Sequence, residues 1–328
     1  MVGPMIISRT PLRVSFVGGG TDIKECYSVL GGAVVSAAIN RYIHIIVNRK
    51  FDNKIRVSYS KTEIVTRPEE LRHPIVREAL RLLGIEGAIE ILSISDIPSE
   101  GTGLGSSSSF TVGLLNALHV WVGEHASAKQ LAEEACLIER ELVGDPGGKQ
   151  DQYIAAYGGL RLIEFMPDGE THVNYVMMSS SARDELERSL LLMYTGITRR
   201  STEIMKEQIA SIEKVMAHYA KMKEMAYSCH EALESGDIEL AGRIIGQSWN
   251  IKKQMGNGIA TPEIDAMYER AIAAGAYGGK ITGAGGGGFF LFLVDPEKRE
   301  NVKQALQGMR EENIRIENQG SRIVYVGD

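Results

Sequence analysis

The chain has 328 residues, 44% of them hydrophobic and 24% charged, the make-up of an ordinary globular protein long enough for about two domains. A formal net charge of −6 excludes a partner held mainly by neutralising a phosphate backbone, such as duplex nucleic acid. An anionic ligand therefore has to be met by a local cluster of donors. In chain order, strand character runs from Met5 to Phe16 and breaks at the turn VGGGTD, Val17 to Asp22. Gly32 to Asn40 is small and apolar, and Tyr42 to Asn48 is β-branched and strand-like. Lys54 to Tyr59 alternates, Pro74 to Leu83 reads as a short helix stopped by Gly84, and Ala88 to Ile94 is a further strand.

Helical stripes follow at Val112, Leu115, Leu118 and Val122, and again at Leu131, Ala135, Ile138 and Leu142 behind the capping pattern of Ser127 and Gln130. At 100° per residue Glu139 falls on the edge of the second stripe. Gly158 to Phe165 and His172 to Met178 read as strands closing the first half, and Leu190 to Tyr194 opens the second. Two helices, about Ser201 to Leu233 and Asp237 to Met255, are separated at Ser235–Gly236. The first carries Ile209, Ile212, Met216 and Tyr219 in one stripe, a helix-packing face. A helix from Asp265 to Ala274, the glycine-rich GGKITGAGGGGFFLFLV, a helix from Pro296 to Met309 and a strand from Arg322 to Val326 complete the chain. Strands in both halves without strict βαβ alternation predict an α+β protein of two domains, residues 1–180 and 181–328.

Three cysteines, Cys26, Cys136 and Cys229, are odd in number, far apart and outside any CxxC pair. They offer neither a disulfide framework nor a zinc site and suit a reducing compartment. The seven histidines have no metal-ligand spacing. No run approaches the roughly 18 apolar residues of a membrane span, and the N-terminus lacks a basic flank followed by a long apolar core. A cytoplasmic location without membrane contact is expected.

Four segments carry candidate chemistry. GTGLGSSSSF, Gly101 to Phe110, has the composition of a linker but lies between a strand and a helix. Its glycines permit close backbone approach, and its serines stand where a helix begins with unpaired N–H groups and a positive dipole end. It lacks both the GxxxxGK[ST] loop and the GxGxxG register. On physics alone it is either a phosphate cradle or a capped helix after a turn. IERELVGDPGGKQDQY, Ile138 to Tyr153, sets Glu139 on a helix edge and Asp151 in a Gly/Pro-rich turn. These are either a metal ligand and a base for phosphoryl transfer or a solvated helix glutamate and a turn aspartate. GGKITGAGGGGFF, Gly278 to Phe290, feeds a glycine run into a strand, and TPLRVSFVGGGTD brackets a further glycine turn with Arg13 and Asp22.

In this order, Pro-x-Arg with GGGTD, then GLGSSSS, then Glu…GxPGGxxDQ, then TGAGGGG, the four segments resemble the signature regions of the GHMP kinases, the family of galactokinase and of homoserine, mevalonate and phosphomevalonate kinases. The motifs span nearly the whole chain. Within that family the local wording of Arg9 to Asp22, Gly103 to His119, Gly148 to Tyr153, Tyr194 to Arg199 and Gly278 to Phe289 is similar to that of bacterial D-glycero-D-manno-heptose 7-phosphate kinases. Galactokinases usually read GEHTDY where this chain has GGGTDI, Gly18 to Ile23.

The resemblance implies a two-domain GHMP kinase fold. It has an N-terminal mixed sheet with a left-handed βαβ unit, against the general rule of handedness, and a ferredoxin-like C-terminal domain. It implies ATP and Mg²⁺ as cofactors. The phosphates would lie on Gly101, Gly103, Leu104, Gly105, Ser106, Ser107, Ser108 and Ser109, with Ser107 and Glu139 holding the metal. Asp151 would be the catalytic base, with Arg13 beside it steadying developing negative charge. Gly19, Gly20, Thr21, Asp22, Gly148, Lys149, Gly285 and Gly286 would line the sugar site. A substrate that already carries a phosphate needs a second anion site. Arg199 is the first choice and Arg200, Lys149, Lys252 and Lys253 are further candidates. The implied reaction is phosphorylation of the anomeric hydroxyl of a small sugar phosphate, heptose 7-phosphate, for nucleotide-heptose and surface polysaccharide synthesis. Alternatives are a galactose, fucose or mannose 1-kinase, or a sugar sensor on the same fold. Neither the oligomeric state nor the adenine contacts can be read from the sequence.

Overall fold

The structure is a computed structural model and describes residues 4–98, 101–198, 205–206, 209 and 212–327. Its spine is an antiparallel pair, β1 (Met5–Val17) and β2 (Gly32–Arg49), joined through the GGGTD turn and a short helix α1 (Lys24–Leu30). The first half of β2, GAVVSAAI, is buried on both faces, while its second half alternates. Small side chains there let helices pack on one face while the neighbouring strands pair on either side. The register of β1 on β2 shifts between Ser15 and Val17. Such irregularities bend a strand and re-aim its side chains.

Beyond β2 lie β3 (Ile55–Ser58), β4 (Thr62–Val65) and β5 (Ile89–Ser95), with α2 (Pro74–Leu82) between β4 and β5. β3 and β5 pair in parallel and the other ladders of this sheet are antiparallel, so the sheet is mixed. α3 (Ser106–Trp121), α4 (Ala128–Cys136) and α5 (Gln150–Tyr157) lead to β6 (Leu160–Phe165), which pairs with β2, and β7 (Thr171–Tyr175), which pairs with β6. Ser127 caps α4 by accepting from Gln130 N at 3.2 Å, as the capping pattern predicts.

The second half begins with α6 (Ser180–Ser189) and β8 (Leu190–Tyr194). Then come α7 (Met216–Ser235), α8 (Ile238–Lys252), α9 (Pro262–Ala273), β9 (Ala276–Ile281), β10 (Phe289–Val294), α10 (Arg299–Ala305) and β11 (Arg310–Glu312). The four strands form an antiparallel sheet ordered β11-β8-β10-β9. Numbered within this half that is 4-1-3-2 with helices after the first and third strands, the ferredoxin-like arrangement. Gly236, in a left-handed conformation with φ of 80°, ends α7 where the sequence places the break.

The last strand, β12 (Arg322–Gly327), returns to pair with β1. α7 packs on β1 and β2, and α8 on β9 and β10. One buried apolar cluster accordingly runs from Phe16 and Val34 through Leu190, Met225 and Ile245 to Leu291. A second gathers Trp249, Phe290 and Phe292. Phe290 stacks on Phe292 at 4.8 Å and 18° and meets Trp249 edge-on at 6.3 Å and 78°. Among the described residues no helix is long and apolar enough to cross a membrane.

α3 starts at Ser106, so the serines stand at the head of a helix, as the sequence predicts. One expectation is corrected: Asp151 lies in the first turn of α5, not in the Gly/Pro-rich turn before it. Because Phe290 is fully buried against three aromatic partners, Phe292, Trp249 and Tyr268, Phe290→Ala should cost about 3–5 kcal/mol of stability in urea titration. A loss below about 1 kcal/mol would mean that the small sheet is not packed as described.

Candidate active site

A cleft of about 270 Å³ lies between the two halves. It collects residues from β1, the GGGTD turn, the 101–108 loop, Glu139, the head of α5, α8, β9 and the 282–287 segment. Its centre is Arg13. On β1 polar Arg13 and Ser15 alternate with apolar Leu12, Val14 and Phe16, so the polar pair shares one face of the strand. Arg13 Nε and Nη2 donate to Asp151 Oδ1 and Oδ2, both at 2.7 Å, a bidentate fork. Its Nη1 donates to the Gly103 carbonyl at 2.6 Å, and its backbone N–H to the Leu104 carbonyl at 3.0 Å. Arg13 is buried, while the Asp151 side chain keeps 22% of its surface. One guanidinium thus fixes both a carboxylate facing the cleft and the loop that opens α3.

That loop ends in Gly105, whose left-handed backbone caps α3, and Gly105, Ser106, Ser107 and Ser108 line the cleft. Ser109 N is the first amide to close the helix, on the Gly105 carbonyl. The amides before it face the cleft with the positive end of the helix dipole. Across from the loop, a side chain on Gly283 would come within 2.9 Å of Gly103 Cα, and one on Gly103 within 2.5 Å of the Thr282 carbonyl. The two glycine-rich segments touch backbone to backbone, which is why both lack side chains there.

Glu139 sits on a wide π-type turn, Leu137–Leu142, which continues α4. Such turns swing a side chain out of the regular helical register, and Glu139 is 1% exposed rather than on a helix edge. Its carboxylate accepts from Ser108 Oγ at 2.9 Å, Gln152 Nε2 at 2.5 Å, Arg140 Nη2 at 3.3 Å and the Thr111 hydroxyl. Burial pushes its pKa up, opposed by Arg140 and by these donors. Ser107 is exposed to the cleft, whereas Ser108 makes the bond to Glu139, and Ser106 Oγ is buried without a partner.

Asp22 clasps the head of α5. Its Oδ1 accepts from Gly20 N at 2.8 Å and Gln150 Nε2 at 3.3 Å, and its Oδ2 from Gln150 N at 3.1 Å. A side chain at Gly148 would fall 1.8 Å from Asp22 Oδ2.

The remaining candidates divide. Gly19, Gly20, Asp22, Gly148 and Gly285 line the cleft with Arg13 and Asp151, and Lys252 joins them. Thr21 is buried against Ala33, and Ser109 donates to the Pro11 carbonyl at 2.8 Å. Gly286 N donates to the Ile259 carbonyl at 2.8 Å, beside the lining glycines. Lys149 lies over the Tyr27 ring and donates to the Gly169 carbonyl, and Lys253 pairs with Asp265; neither lysine lines the cleft. Arg199 and Arg200 fall outside the described residues. Sequence reasoning passed over Ser15, Gln150 and Lys280, all in the cleft wall. Their signals were a polar pair on one strand face and a lysine inside an otherwise apolar strand pattern.

Lys252 and Lys280 are both buried. Burial pulls the Lys252 pKa down to about 8, with Asp22 and Asp151 opposing and Arg13 assisting. Lys280 is lowered well below its ordinary value by burial and by Lys252 and Arg13. Between about pH 8 and the unfolded value of 10.5 the unfolded chain binds more protons than the native one, so stability should rise with pH across that window. Lys252→Met should flatten this rise in urea midpoints measured from pH 7 to 10. Parallel curves would contradict the burial of a poorly compensated ammonium.

Comparison with known proteins matches this geometry to a family. Residues 73–159 match the GHMP kinases N terminal domain and residues 229–311 the GHMP kinases C terminal region. A D-glycero-alpha-D-manno-heptose 7-phosphate kinase of Campylobacter jejuni is 33% identical over 325 residues, covering 92% of this chain and 93% of that protein. A galactokinase of Pyrococcus furiosus is 24% identical over 344 residues, covering 92% of each. The crystal structure of a D-glycero-D-manno-heptose 1-phosphate kinase from Bacteroides thetaiotaomicron superposes with a TM-score of 0.80 at 26% identity, covering 98% of this chain and 100% of that one. With its mixed sheet, its ferredoxin-like half and a cleft built by all the signature segments, this chain belongs to the GHMP kinases.

Proposed function

We propose that the chain transfers the γ-phosphoryl group of ATP to the anomeric hydroxyl of D-glycero-D-manno-heptose 7-phosphate, giving the 1,7-bisphosphate for nucleotide-heptose synthesis in the cytoplasm. The observation that carries the reading is the Arg13–Asp151 fork, set in one cleft with the amide-rich head of α3. The choice of sugar follows the 33% identical Campylobacter jejuni kinase.

In this reading the α3 amides and Ser106 to Ser108 hold the donor phosphates, and Asp151 orients the acceptor hydroxyl. As the acceptor oxygen bonds to the γ-phosphorus, the bond from that phosphorus to the β–γ bridging oxygen breaks. ADP leaves and the hydroxyl proton passes to the Asp151 carboxylate. Arg13 holds that carboxylate in place and brings its charge close to the developing negative charge.

Mg²⁺ fits beside this arrangement. Ser106 Oγ is a buried hydroxyl without a partner, Ser107 is open to the cleft, and Glu139 Oε1 accepts one bond, from Thr111. Among the described residues no group of three metal-binding side chains exists, in keeping with an ion held by one or two protein ligands plus phosphates. Ser107 and Glu139 would hold it, and its charge would offset that of the phosphates. Residues 1–180 and 181–328 form the two domains of this reading, with β12 crossing back to the first.

Two tests follow. In a coupled ADP-release assay over heptose 7-phosphate, galactose, fucose and mannose, heptose 7-phosphate should give the highest kcat/KM; preference for a free hexose would sink the substrate assignment. Arg13→Lys, which replaces the fork by a point charge, should lower kcat by about 10²-fold or more. Retention of most of the activity would remove Arg13 from the chemistry.

A further inference from the structure

Within the cleft one group of polar atoms is left over from the roles above. Ser15 is 2% exposed and Lys280 4% exposed. Ser15 Oγ and Gln150 Oε1 are buried without a hydrogen-bond partner among the described residues, and no hydrogen bond or ion pair there reaches Lys280 Nζ. All three face the same small space, the one that a side chain on Gly19 would occupy. A Cβ at Gly19 would lie 3.3 Å from Gln150 Nε2, 3.4 Å from Ser15 Oγ and 4.0 Å from Lys280 Nζ.

The glycine itself is informative. Gly18 and Gly20 flank it with φ of 90° and 104°, but Gly19 has no positive φ. A Cβ there would meet only the ends of side chains. Neither backbone conformation nor a backbone contact demands glycine at position 19; a Cβ there would crowd the Gln150 amide at 3.3 Å, so the missing side chain leaves these polar ends unobstructed at the cleft wall. Buried, unpartnered donors and acceptors in a cleft wall are costly unless a ligand satisfies them.

The corner also lies on the acceptor side of the cleft. Lys252 donates to the Gly283 carbonyl at 2.7 Å, which ties it to the segment that packs on the donor loop. Lys280 Nζ instead lies, with Ser15 Oγ and the Gln150 amide, around Gly19 of the GGGTD turn; Ser15 shares a strand face with Arg13, and Gln150 precedes Asp151 on α5.

We propose that Ser15, Gln150 and Lys280 form the corner that receives the acceptor's own phosphate, that Gly19 keeps it open, and that it makes the enzyme select phosphorylated over unphosphorylated sugars. This rests on the acceptor reading above but names residues and a selection rule that the reading leaves open. A bound phosphate favours the charged form of Lys280, which burial and its cationic neighbours otherwise disfavour, while the serine hydroxyl and the glutamine amide add bonds to phosphate or neighbouring sugar oxygens.

The test measures kcat and KM of wild type, Lys280→Met and Gly19→Leu with heptose 7-phosphate, with the same heptose lacking the phosphate, and with ATP varied. Lys280→Met should raise KM for heptose 7-phosphate by about 10- to 100-fold, the loss of one charged hydrogen bond. KM for ATP and for the unphosphorylated heptose should stay within about twofold. Gly19→Leu, at a position without backbone strain, should cause a comparable loss by covering the corner and pressing on Gln150 and Ser15, and Lys280→Arg should keep part of the affinity that Lys280→Met loses. An equal fall in kcat with both acceptors, or a raised KM for ATP, would place Lys280 on the transferred phosphoryl group and overturn the proposal. So would wild-type selectivity in Lys280→Met and Gly19→Leu. A wild type that phosphorylates only free hexoses overturns both this corner and the substrate reading. Use of heptose 7-phosphate with selectivity unmoved by the variants overturns the corner alone.

Discussion

The cleft depends on a single buried cation. Arg13 spends two N–H groups on Asp151, a third on the Gly103 carbonyl, and its backbone N–H on Leu104. Charge-assisted forks of this kind fix geometry as well as adding energy. Removing either partner would leave the other buried or half-buried without compensation. The arginine therefore couples the head of α3, where an anion is favoured, to the head of α5, where the carboxylate stands. Neither helix start alone would define where a phosphoryl group meets a hydroxyl.

The rest of the fold holds those two helix starts against Arg13. The spine of β1 and β2 supplies the strand on which Arg13 and Ser15 share a face, and the second of its two register shifts falls just before the GGGTD turn. Asp22 in that turn clamps the α5 head through Gly20 and Gln150. From the other half, Gly283 and Gly288 press backbone to backbone on the phosphate loop at Gly103 and at Gly101 and Thr102. The second half thereby forms one wall of the cleft, and the buried cluster that spans both halves keeps that wall at a fixed distance.

Much of this was legible in the sequence, for physical reasons that differ by element. Long strands and helices announce themselves by period, so β1, β8, β10, α2 and α8 stand close to where patterning puts them. The glycine runs were legible as close approaches, although their partner was not. Glu139 was found as a carboxylate but misplaced on a helix edge, because a π-type turn breaks the 100° rotation on which that estimate rests. Among the four serines, composition gives no ranking. Only the folded geometry shows Ser108 bonded to Glu139 and Ser107 facing the cleft. Ser15, Gln150 and Lys280 were invisible as a group because they come from β1, α5 and β9, which meet only in the tertiary structure.

The central claim, that the carboxylate held by Arg13 performs the chemistry and is not merely structural, is tested most directly by single-turnover phosphoryl transfer from γ-labelled ATP in Asp151→Asn. The amide keeps the size of the side chain and one acceptor oxygen for Arg13 but cannot take the hydroxyl proton. ATP and acceptor binding by calorimetry should stay within a few-fold of wild type while the transfer rate falls by about 10²- to 10⁴-fold. A variant that transfers phosphate at the wild-type rate would contradict a chemical role for that carboxylate.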